Sequence, residues 1–215
     1  MTVAPDGSPV EVYRRLAPQG EPELIATALP PGATVLEIGS GTGRLTHPLL
    51  ELGFRVTAVD NEPGMLAHVR GAETVLADAE RLDLGRRFDC VLLASHFVND
   101  ADDRSRRELL RACARHLEAD GLLLAEAYPP ELDWAAGRET RLGEVVVRLA
   151  EAERDGDLVR AAMEYEVDEM RWRQPFTARI LDEDALRDEL ARVGLRFERW
   201  LARERGWLVA GQAST

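Results

Sequence analysis

The chain has 215 residues, of which 45% are hydrophobic and 31% are charged, and this balance is typical of a folded globular protein rather than a disordered one. Its 39 acidic residues outnumber its 27 basic residues and give a net charge of −12, which opposes binding to a polyphosphate such as nucleic acid. Every basic residue is an arginine, and the absence of lysine excludes a Schiff-base enzyme, a pyridoxal-phosphate site and a Walker-type phosphate loop.

The two cysteines, Cys90 and Cys113, each lie in an apolar stretch, which favours buried thiols in a reducing compartment over a disulfide. The N-terminus carries prolines and an acid where a secretory signal has basic residues and an apolar run. No apolar segment approaches the ~18 residues that span a bilayer. We therefore expect a cytoplasmic protein with no membrane partner, and no spacing of histidines with acids or cysteines indicates a metal site.

Short apolar strands alternate with helical segments up to about residue 127. After an arm at residues 10–16 and a helix at 21–29, the pattern predicts five strands, at residues 35–38, 54–60, 74–77, 89–95 and 121–127. Helices are predicted between them at residues 45–52, 62–70 and 104–117. Strands that are apolar throughout and separated by helices indicate a parallel sheet that is covered on both faces.

The pair Pro129-Pro130 marks a change of pattern. Beyond it, residues 145–150 and 158–173 are typical of two longer strands around a turn at 155–157. The chain then closes with a helix at 182–193 and strands at 195–201 and 207–210. This order predicts an α/β fold in which a mostly parallel, seven-stranded sheet carries an antiparallel β insertion after its fifth strand.

The most informative segment is VLEIGSGTGR, residues 35–44, where the first strand turns into a helix. Glycines at alternate positions let a ligand approach the backbone without Cβ collisions, and the helix start offers unpaired N–H groups. Asp60 ends the next strand, where a carboxylate can accept both hydroxyls of a ribose. The loop and the acid together predict a ligand that contains a nucleoside.

The residues around the loop indicate which nucleoside derivative. Dinucleotide sites favour G-x-G-x-x-G, whereas this loop reads G-x-G-x-G and has Glu37 two residues before its first glycine. A carboxylate at that place repels a pyrophosphate and attracts a cation. The segments VLEIGSGTGRL and VTAVDNEPGML resemble the first two motifs of the class I S-adenosylmethionine-dependent methyltransferases.

This resemblance implies a Rossmann-like three-layer sandwich that uses S-adenosyl-L-methionine and releases S-adenosyl-L-homocysteine. The cofactor-binding residues that it implies are, for the methionine part, Glu37, Gly39, Ser40, Gly41, Gly43 and Ser95, for the ribose Asp60, and for the adenine Asn61, Met65, Asp78 and Ala79. Tyr13 is a further candidate, since the N-terminal arm could fold over the cofactor as a lid that excludes water.

His96 is the candidate general base. A sulfonium methyl group is already activated, so that placement of the acceptor is the main task, but phenol and alcohol acceptors also need proton removal. His96 follows the fourth strand at the carboxyl edge, where open α/β sheets bind ligands, and histidine titrates near neutral pH. Shaping of the acceptor pocket and a purely structural histidine stay open as alternatives.

The sequence favours a small-molecule acceptor, methylated at O or N. Methyltransferases that modify DNA amines carry [DNS]-P-P-[YFW] after the fourth strand, and residues 95–98 do not match it. The β-rich insertion is similar to that of small-molecule methyltransferases, including amino-sugar N-methyltransferases, in which antiparallel strands form a roof over the pocket. Aromatic residues available to line such a roof are Trp134, Tyr165, Trp172 and Phe176.

We expect one methyltransferase domain over residues 1–215, as a monomer or a homodimer. Its parts would be an N-terminal arm with helices (1–32), a cofactor-binding core (33–127), a substrate roof (128–180) and a closing helix with two strands (181–215). Three alternatives stay open. They are a protein of this fold that uses the bound sulfonium for a reaction other than methylation, a non-catalytic scaffolding homologue, and a nicotinamide oxidoreductase.

Overall fold

Two β-sheets form the framework of the computed structural model, which describes residues 2–213. The strands are β1 (Thr34–Ile38), β2 (Arg55–Asp60), β3 (Glu73–Leu76), β4 (Phe88–Leu93), β5 (Leu117–Glu126), β6 (Glu139–Leu142), β7 (Val145–Asp155), β8 (Leu158–Val167), β9 (Met170–Arg179), β10 (Leu195–Ala202) and β11 (Trp207–Gln212). The helices are α1 (Val10–Tyr13), α2 (Glu21–Ala26), α3 (Thr46–Glu51), α4 (Pro63–Leu66), α5 (Asp103–Arg115) and α6 (Glu183–Ala191).

The central sheet has seven strands in the order β10-β11-β5-β4-β1-β2-β3. Strands β1 to β5 are parallel to one another, whereas β11 runs antiparallel to β5, and β10 antiparallel to β11. The predicted mostly parallel, Rossmann-like sheet is therefore confirmed. The strand order changes direction between β1 and β4, and the crevice at the carboxyl ends of such strands is where open α/β sheets bind ligands.

Helices cover both faces of this sheet, because successive residues of its inner strands point to opposite faces. On one face, Leu36 of β1 lies in a buried cluster with Leu110 of α5 and Leu186 of α6. On the other face, Val35 of β1 lies in a second buried cluster with Leu49 of α3. The result is the predicted three-layer sandwich.

The two cysteines are free and buried. Cys113 lies in the cluster on the α5 face, and Cys90 lies in the cluster on the α3 face. Burial raises the pKa of both thiols, so they behave as small apolar side chains within the core.

The helix predicted at residues 104–117 ends at Arg115. Leu117 fits the apolar spacing of the helix, but it starts β5 and pairs with Phe88 of β4. The register then shifts, so that Cys90 pairs with Leu122. Gly121 lies at this shift, and a Cβ there would be 2.9 Å from the Phe88 carbonyl oxygen. Leu117 therefore belongs to the sheet and not to the helix, and helical periodicity alone carries no sign of this pairing.

The prediction of a single strand at residues 158–173 is wrong. The chain reverses at Asp168 and Glu169, and β7, β8 and β9 form an antiparallel sheet with β6 at one edge. Asp168 has a φ of +53°, a left-handed conformation that aspartate tolerates better than most residues. A turn of two acidic residues lacks the glycine that usually signals a hairpin, and β6 was missed because its first three residues are polar and exposed, which leaves Leu142 as its single apolar residue.

Two connections hold this second sheet, which we call the roof sheet (β6–β9), against the carboxyl edge of the central sheet. The buried Asn99 side chain donates a hydrogen bond to the Arg179 carbonyl (2.7 Å) and accepts one from the Tyr128 N–H (2.8 Å). The N-terminal segment forms the other connection, since Gln174 of β9 donates to Ser8 Oγ (3.0 Å). Within residues 2–213, no helix is both long and apolar enough to cross a bilayer.

Candidate active site

The glycine loop, residues 39–43, lies at the carboxyl end of β1 beside the end of β2. The N–H groups of Gly39 and Ser40 donate to the Val59 carbonyl at 2.8 and 2.9 Å. Gly39, Gly41 and Gly43 all have positive φ angles, of +73°, +55° and +89°, a region that glycine enters without steric cost. A Cβ on Gly39 would collide with the Phe97 ring, whereas a Cβ on Gly41 would meet no atom within 4 Å. The loop is therefore fixed on one side and open above Gly41.

Asp60, at the end of β2, lies directly against this loop. One carboxylate oxygen accepts the Gly41 N–H at 2.8 Å, and the other accepts the Glu62 N–H at 2.9 Å. Burial raises the pKa of Asp60, and these backbone hydrogen bonds oppose the rise. Each oxygen keeps a second lone pair for a hydroxyl donor, so the predicted contact with a ribose is geometrically available.

Glu37 lies in β1, below the loop. Its side chain accepts a hydrogen bond from Thr46 Oγ1 at 2.5 Å, and the residue is 3% exposed. Burial raises its pKa to about 7, while the Thr46 hydrogen bond and the charge of Arg44 act in the opposite direction. Arg44 itself is paired with Glu21 at 2.7 Å. Glu37 is therefore a buried carboxylate without a cation of its own among the described residues, and a cationic ligand would supply one.

The residues predicted to surround the adenine lie beyond Asp60. Met65 is 2% exposed, whereas Asn61 and Asp78 are exposed and Ala79 is partly exposed. The Ala77 N–H donates to the Asp60 carbonyl at 3.0 Å, which places Asp78 next to the end of β2. These side chains thus border the same end of the sheet as the loop.

Tyr13 connects this region to the roof sheet. Its ring packs against the cluster that contains Met65, and its hydroxyl donates to Gln174 Oε1 at 3.3 Å. The Tyr13 ring also lies 6.1 Å from that of Tyr165. The N-terminal arm therefore lies across the predicted adenine side, as a lid would.

His96 lies in an unusual turn after β4. Both Ser95 and His96 have a φ of +59°, and left-handed backbone costs roughly 1–2 kcal/mol for each residue with a Cβ. The His96 imidazole stacks on the Tyr128 ring with centroids 3.8 Å apart, and 27% of its side chain is exposed. Burial lowers its pKa, the Glu126 charge raises it, and the Arg44 charge lowers it. The net effect lowers the pKa of His96, which favours the neutral imidazole.

Two other histidines have structural partners. His47 Nε2 accepts the Arg70 N–H at 3.0 Å. His116 is 1% exposed, its Nδ1 lies 2.7 Å from the Ala112 carbonyl, and its Nε2 accepts the Leu84 N–H at 2.9 Å. These contacts give both histidines a structural role. In the described part of the chain, no group of three or more histidine, cysteine or acidic side chains is placed to hold a metal ion.

An aromatic cluster adjoins His96. Tyr128, Trp134 and Phe176 have centroids between 4.9 and 6.4 Å apart. Trp134 Nε1 is buried and has no hydrogen-bond partner within residues 2–213. Of the four aromatic residues predicted to line a roof, Trp134 and Phe176 lie here. Tyr165 and Trp172 lie instead beside the N-terminal arm, where Trp172 Nε1 donates to the Gly7 carbonyl at 3.1 Å.

Sequence reasoning missed Tyr128 and Glu126 as site residues. Glu126 ends the fifth strand and Tyr128 follows it, so both lie at the carboxyl edge, and this position could have identified them. The chain after Tyr128 also borders an open cavity of about 540 Å³, whose lining residues are Pro129, Glu131, Leu132, Asp133, Arg138, Arg203 and Glu204. The cavity and the aromatic cluster thus share the segment from Tyr128 to Trp134.

Comparison with known proteins shows that this chain is similar to methyltransferases. A methyltransferase domain model matches residues 35–121. An uncharacterized methyltransferase of Mycobacterium tuberculosis is 37% identical over 181 residues, which cover 80% of this chain and 65% of the relative. This chain thus spans slightly less than two thirds of the length of that curated relative.

Solved structures share the fold over nearly the whole chain. The sugar N-methyltransferase KedS8 from Streptoalloteichus sp. is similar with a TM-score of 0.71 and 21% identity, over 97% of this chain and 90% of KedS8. The glycopeptide N-methyltransferase MtfA, complexed with S-adenosyl-L-homocysteine, is similar with a TM-score of 0.64 and 26% identity. That match covers 93% of this chain and 88% of MtfA.

Proposed function

Since the chain belongs to the class I S-adenosylmethionine-dependent methyltransferase family, we propose that it transfers a methyl group to a nitrogen atom of a small-molecule amine. One observation carries the proposal. The Phe97 ring packs against Gly39, so that the turn bearing His96 and its aromatic neighbours adjoins the glycine loop. The acceptor side and the donor side thus meet at one point of the carboxyl edge.

The loop residues fit S-adenosylmethionine. The buried carboxylate of Glu37 suits its cationic end, the open space above Gly41 leaves room for the ligand, and Asp60 has free lone pairs for the ribose hydroxyls. When bound, this cofactor supplies a methyl group that the sulfonium already activates. We assign Gly39, Ser40, Gly43 and the Ser95 carbonyl to its methionine part, and Asn61, Met65, Asp78 and Ala79 to its adenine.

The aromatic cluster favours an amine over an alcohol as acceptor. Ring faces attract ammonium groups by about 0.5–2 kcal/mol, and the Glu126 carboxylate lies beside the cluster, 3.9 Å from His96 Nε2. The neighbours KedS8 and MtfA are named as N-methyltransferases, which agrees with this choice. We propose that the roof sheet encloses the acceptor and that Tyr13 covers the cofactor as part of a lid.

The proton balance of the reaction assigns a role to His96. The acceptor nitrogen must present a lone pair, forms the new N–C bond as the S–C bond breaks, and gives up one proton. A neutral imidazole beside the acceptor can take that proton. Placement by the roof sheet then supplies most of the rate enhancement, since fixing two reactants in line can be worth ~7–11 kcal/mol.

Titration calorimetry with S-adenosylhomocysteine tests the donor half of this proposal. The wild type should bind in the micromolar range, and Asp60→Ala should weaken binding by at least ~1.5 kcal/mol, the value of a charge-assisted hydrogen bond. Asp120→Ala is the matched control, because Asp120 is exposed near the amino end of β5. An unchanged affinity in Asp60→Ala contradicts the ribose contact, and a wild type without affinity contradicts the function.

A screen with small amines and matched alcohols tests the acceptor half. Formation of S-adenosylhomocysteine should depend on the amine, and mass spectrometry should find the added methyl group on nitrogen. Methylation of the alcohols alone contradicts the choice of nitrogen.

A further inference from the structure

The carboxylate of Glu126 lies beside the turn that carries His96. In the parallel register of β4 and β5, Leu93 lies opposite Ala125, so Glu126 is next to the chain that continues past β4. Its Oε2 accepts the Ser95 N–H at 2.8 Å, whereas its Oε1 lies 3.9 Å from His96 Nε2. That distance is too long for a hydrogen bond, so a gap separates Oε1 from Nε2.

Both atoms at this gap are available to a ligand. His96 Nδ1 is buried, but 27% of the side chain is exposed, so Nε2 is the ring nitrogen that a ligand can reach. The Glu126 side chain is 15% exposed, and no arginine of residues 2–213 pairs with it. Arg44, whose charge acts on His96, is bound to Glu21 at 2.7 Å instead. The negative charge of Glu126 is therefore left for a ligand.

The gap has the width that one bridging nitrogen requires. An N–H donor lies about 2.9 Å from its acceptor, so two acceptors 3.9 Å apart subtend roughly 85° at a shared nitrogen. This angle is close to the near-tetrahedral angle between two N–H bonds, so each hydrogen bond is bent by only about 10°. An alcohol has a single O–H hydrogen and can donate to one of the two atoms only. The pair therefore suits a nitrogen with at least two hydrogens.

We propose that Glu126 Oε1 and His96 Nε2 together bind the reacting nitrogen of the acceptor, and that the acceptor is a primary amine that receives one methyl group. This inference rests on the proposed function and names the class of its acceptor. A neutral primary amine has two N–H bonds and one lone pair. When the two N–H bonds point to Oε1 and Nε2, the lone pair points away from both and is free to attack.

The reaction moves a positive charge onto the nitrogen that these two atoms hold. An acceptor that arrives as an ammonium first loses its third proton to water. The nitrogen lone pair then forms the bond to the methyl carbon, whose bond to sulfur breaks and leaves its electron pair on sulfur. Next, the N–H bond directed at His96 breaks, its electron pair stays on nitrogen, and the proton binds to Nε2. The hydrogen bond from the other N–H to Glu126 strengthens while the nitrogen is cationic, which favours the transition state.

The number of hydrogens on the nitrogen limits the number of methyl groups. The first product is a secondary amine, which as a neutral amine has one N–H bond and can donate to only one of the two atoms. The kcat/KM for a second methylation should therefore be lower by about tenfold or more, because a hydrogen bond is lost at a charged site.

Binding of benzylamine to the unliganded protein tests the contact, with N,N-dimethylbenzylamine and benzyl alcohol as probes that have fewer hydrogens to donate. The wild type should bind benzylamine about tenfold or more tightly than either of the other two, and the nitrogen-15 NMR signal of His96 Nε2 should shift on binding. Glu126→Gln should bind benzylamine as weakly as benzyl alcohol. Glu118→Gln is the control, since Glu118 is exposed on the same strand, and it should bind all three probes as the wild type does.

Glu126→Gln separates the charge of Glu126 from its structural contact. The glutamine oxygen can still accept the Ser95 N–H, and urea unfolding should confirm that the fold is retained. His96→Ala is the second variant, and because it removes Nε2, it should bind benzylamine and N,N-dimethylbenzylamine equally. The proposal is overturned if the wild type binds benzylamine no more tightly than benzyl alcohol, or if Glu126→Gln keeps the wild-type affinity for benzylamine. These titrations need no cofactor, so failure of the proposed function appears separately, as absent binding of S-adenosylhomocysteine.

Turnover of the amine that the acceptor screen identifies provides another readout. Mass spectrometry should find that the monomethylated product accumulates before any dimethylated product. Glu126→Gln should raise the KM for the amine and lower kcat, while its affinity for S-adenosylhomocysteine stays close to that of the wild type. Dimethylation without accumulation of the monomethylated product, or a preference for secondary amines, contradicts the proposal.

Discussion

The two halves of the site are built from different parts of the polypeptide. In the donor half, which comprises the glycine loop and Asp60, backbone groups predominate, and Gly39, Gly41 and Gly43 provide the conformation. In the aromatic half, which comprises His96, Tyr128, Trp134 and Phe176, side chains from three separate segments meet. The shape of a site that backbone groups form varies little, whereas the shape of a site that side chains form changes with each substitution. The donor half is thus suited to one constant ligand and the aromatic half to acceptors that vary.

The two halves also differ in how they hold a carboxylate. Glu37 is sealed beneath the donor half, with a neutral hydroxyl as its hydrogen-bond partner. Glu126 lies at the rim of the aromatic half and interacts with a backbone N–H and an imidazole. A buried carboxylate without a cation lowers the stability of the unliganded fold, and the ligand can offset that loss. The comparison therefore predicts that substitution of Glu37 raises the stability of the unliganded fold and weakens ligand binding.

Glu37→Gln should produce the largest effect. The variant should bind S-adenosylhomocysteine at least ~100-fold more weakly, because it removes the buried carboxylate that we place beside the ligand's ammonium, an interaction of roughly 3 kcal/mol. At pH 8 the unliganded variant should nevertheless be more stable than the wild type, by up to about 3 kcal/mol. Calorimetry measures the first quantity, and urea unfolding measures the second.

The gain in stability expected of Glu37→Gln follows from the direction in which the pKa of Glu37 is shifted. The pKa of Glu37 is raised from 4.5 to about 7 in the folded state, so the unfolded chain loses this proton first as the pH rises. The stabilising contribution of the proton is complete below pH 4.5 and is lost as the pH rises to about 7. The stability gain of Glu37→Gln should accordingly be small at pH 4.5 and maximal above pH 7. A gain in stability that is equal at both pH values contradicts the raised pKa of Glu37.

Gly41→Ala should have the next largest effect. The φ of Gly41 is +55°, and a new Cβ would point into open space where we place the ligand. We expect a loss of stability of about 1 kcal/mol from backbone strain and a further, roughly tenfold loss of affinity for S-adenosylhomocysteine.

Gly85→Ala is the control that separates these two effects. Gly85 has a φ of +63° and equally open surroundings, but it lies away from the glycine loop. It should show the same loss of stability without any loss of affinity. Equal affinities of the two variants would mean that no ligand lies above Gly41.

The sequence predicts the donor half far better than the aromatic half, and the reason is physical. The donor half lies within one strand–loop–helix segment and the end of the next strand. Residues that are near one another in the sequence are therefore also near one another in the fold. Phe176 reaches Tyr128 and Trp134 only because Asp168 reverses the chain and creates β9. That turn contains no glycine, so the strand was predicted to end at residue 173. The contacts of Glu126 likewise depend on the register of β4 with β5, which no local pattern encodes.

Phe176→Ala should have a moderate effect confined to the aromatic half. Removal of one ring from the cluster should raise the KM for the amine acceptor by roughly fivefold, in proportion to a cation–π contribution of about 1 kcal/mol. The affinity for S-adenosylhomocysteine should stay within twofold of the wild type. Thr177→Ala is the control, because Thr177 is the exposed neighbour on β9. A parallel loss of cofactor affinity in Phe176→Ala would show that the two halves are not separate.

Ser95→Gly should have the smallest effect on stability, and its sign distinguishes strain from simple packing. Glycine relieves the left-handed conformation at φ +59° but costs conformational entropy in the unfolded chain. We expect a net gain in unfolding free energy of about 0.5 kcal/mol. The released turn should also hold His96 less firmly, so that the rate of S-adenosylhomocysteine formation with the identified amine falls severalfold.

Asp168→Gly provides the matched comparison, since Asp168 has a φ of +53° but lies at the far end of the β8–β9 hairpin. Its exposed ion pair with Arg15 contributes little to stability. It should therefore gain a similar amount of stability and keep the wild-type rate. If Ser95→Gly also keeps the wild-type rate, the strained turn is not required to present His96. If instead its stability falls, the side chain of Ser95 makes a contact that outweighs the strain, and the turn is held by packing rather than by Glu126.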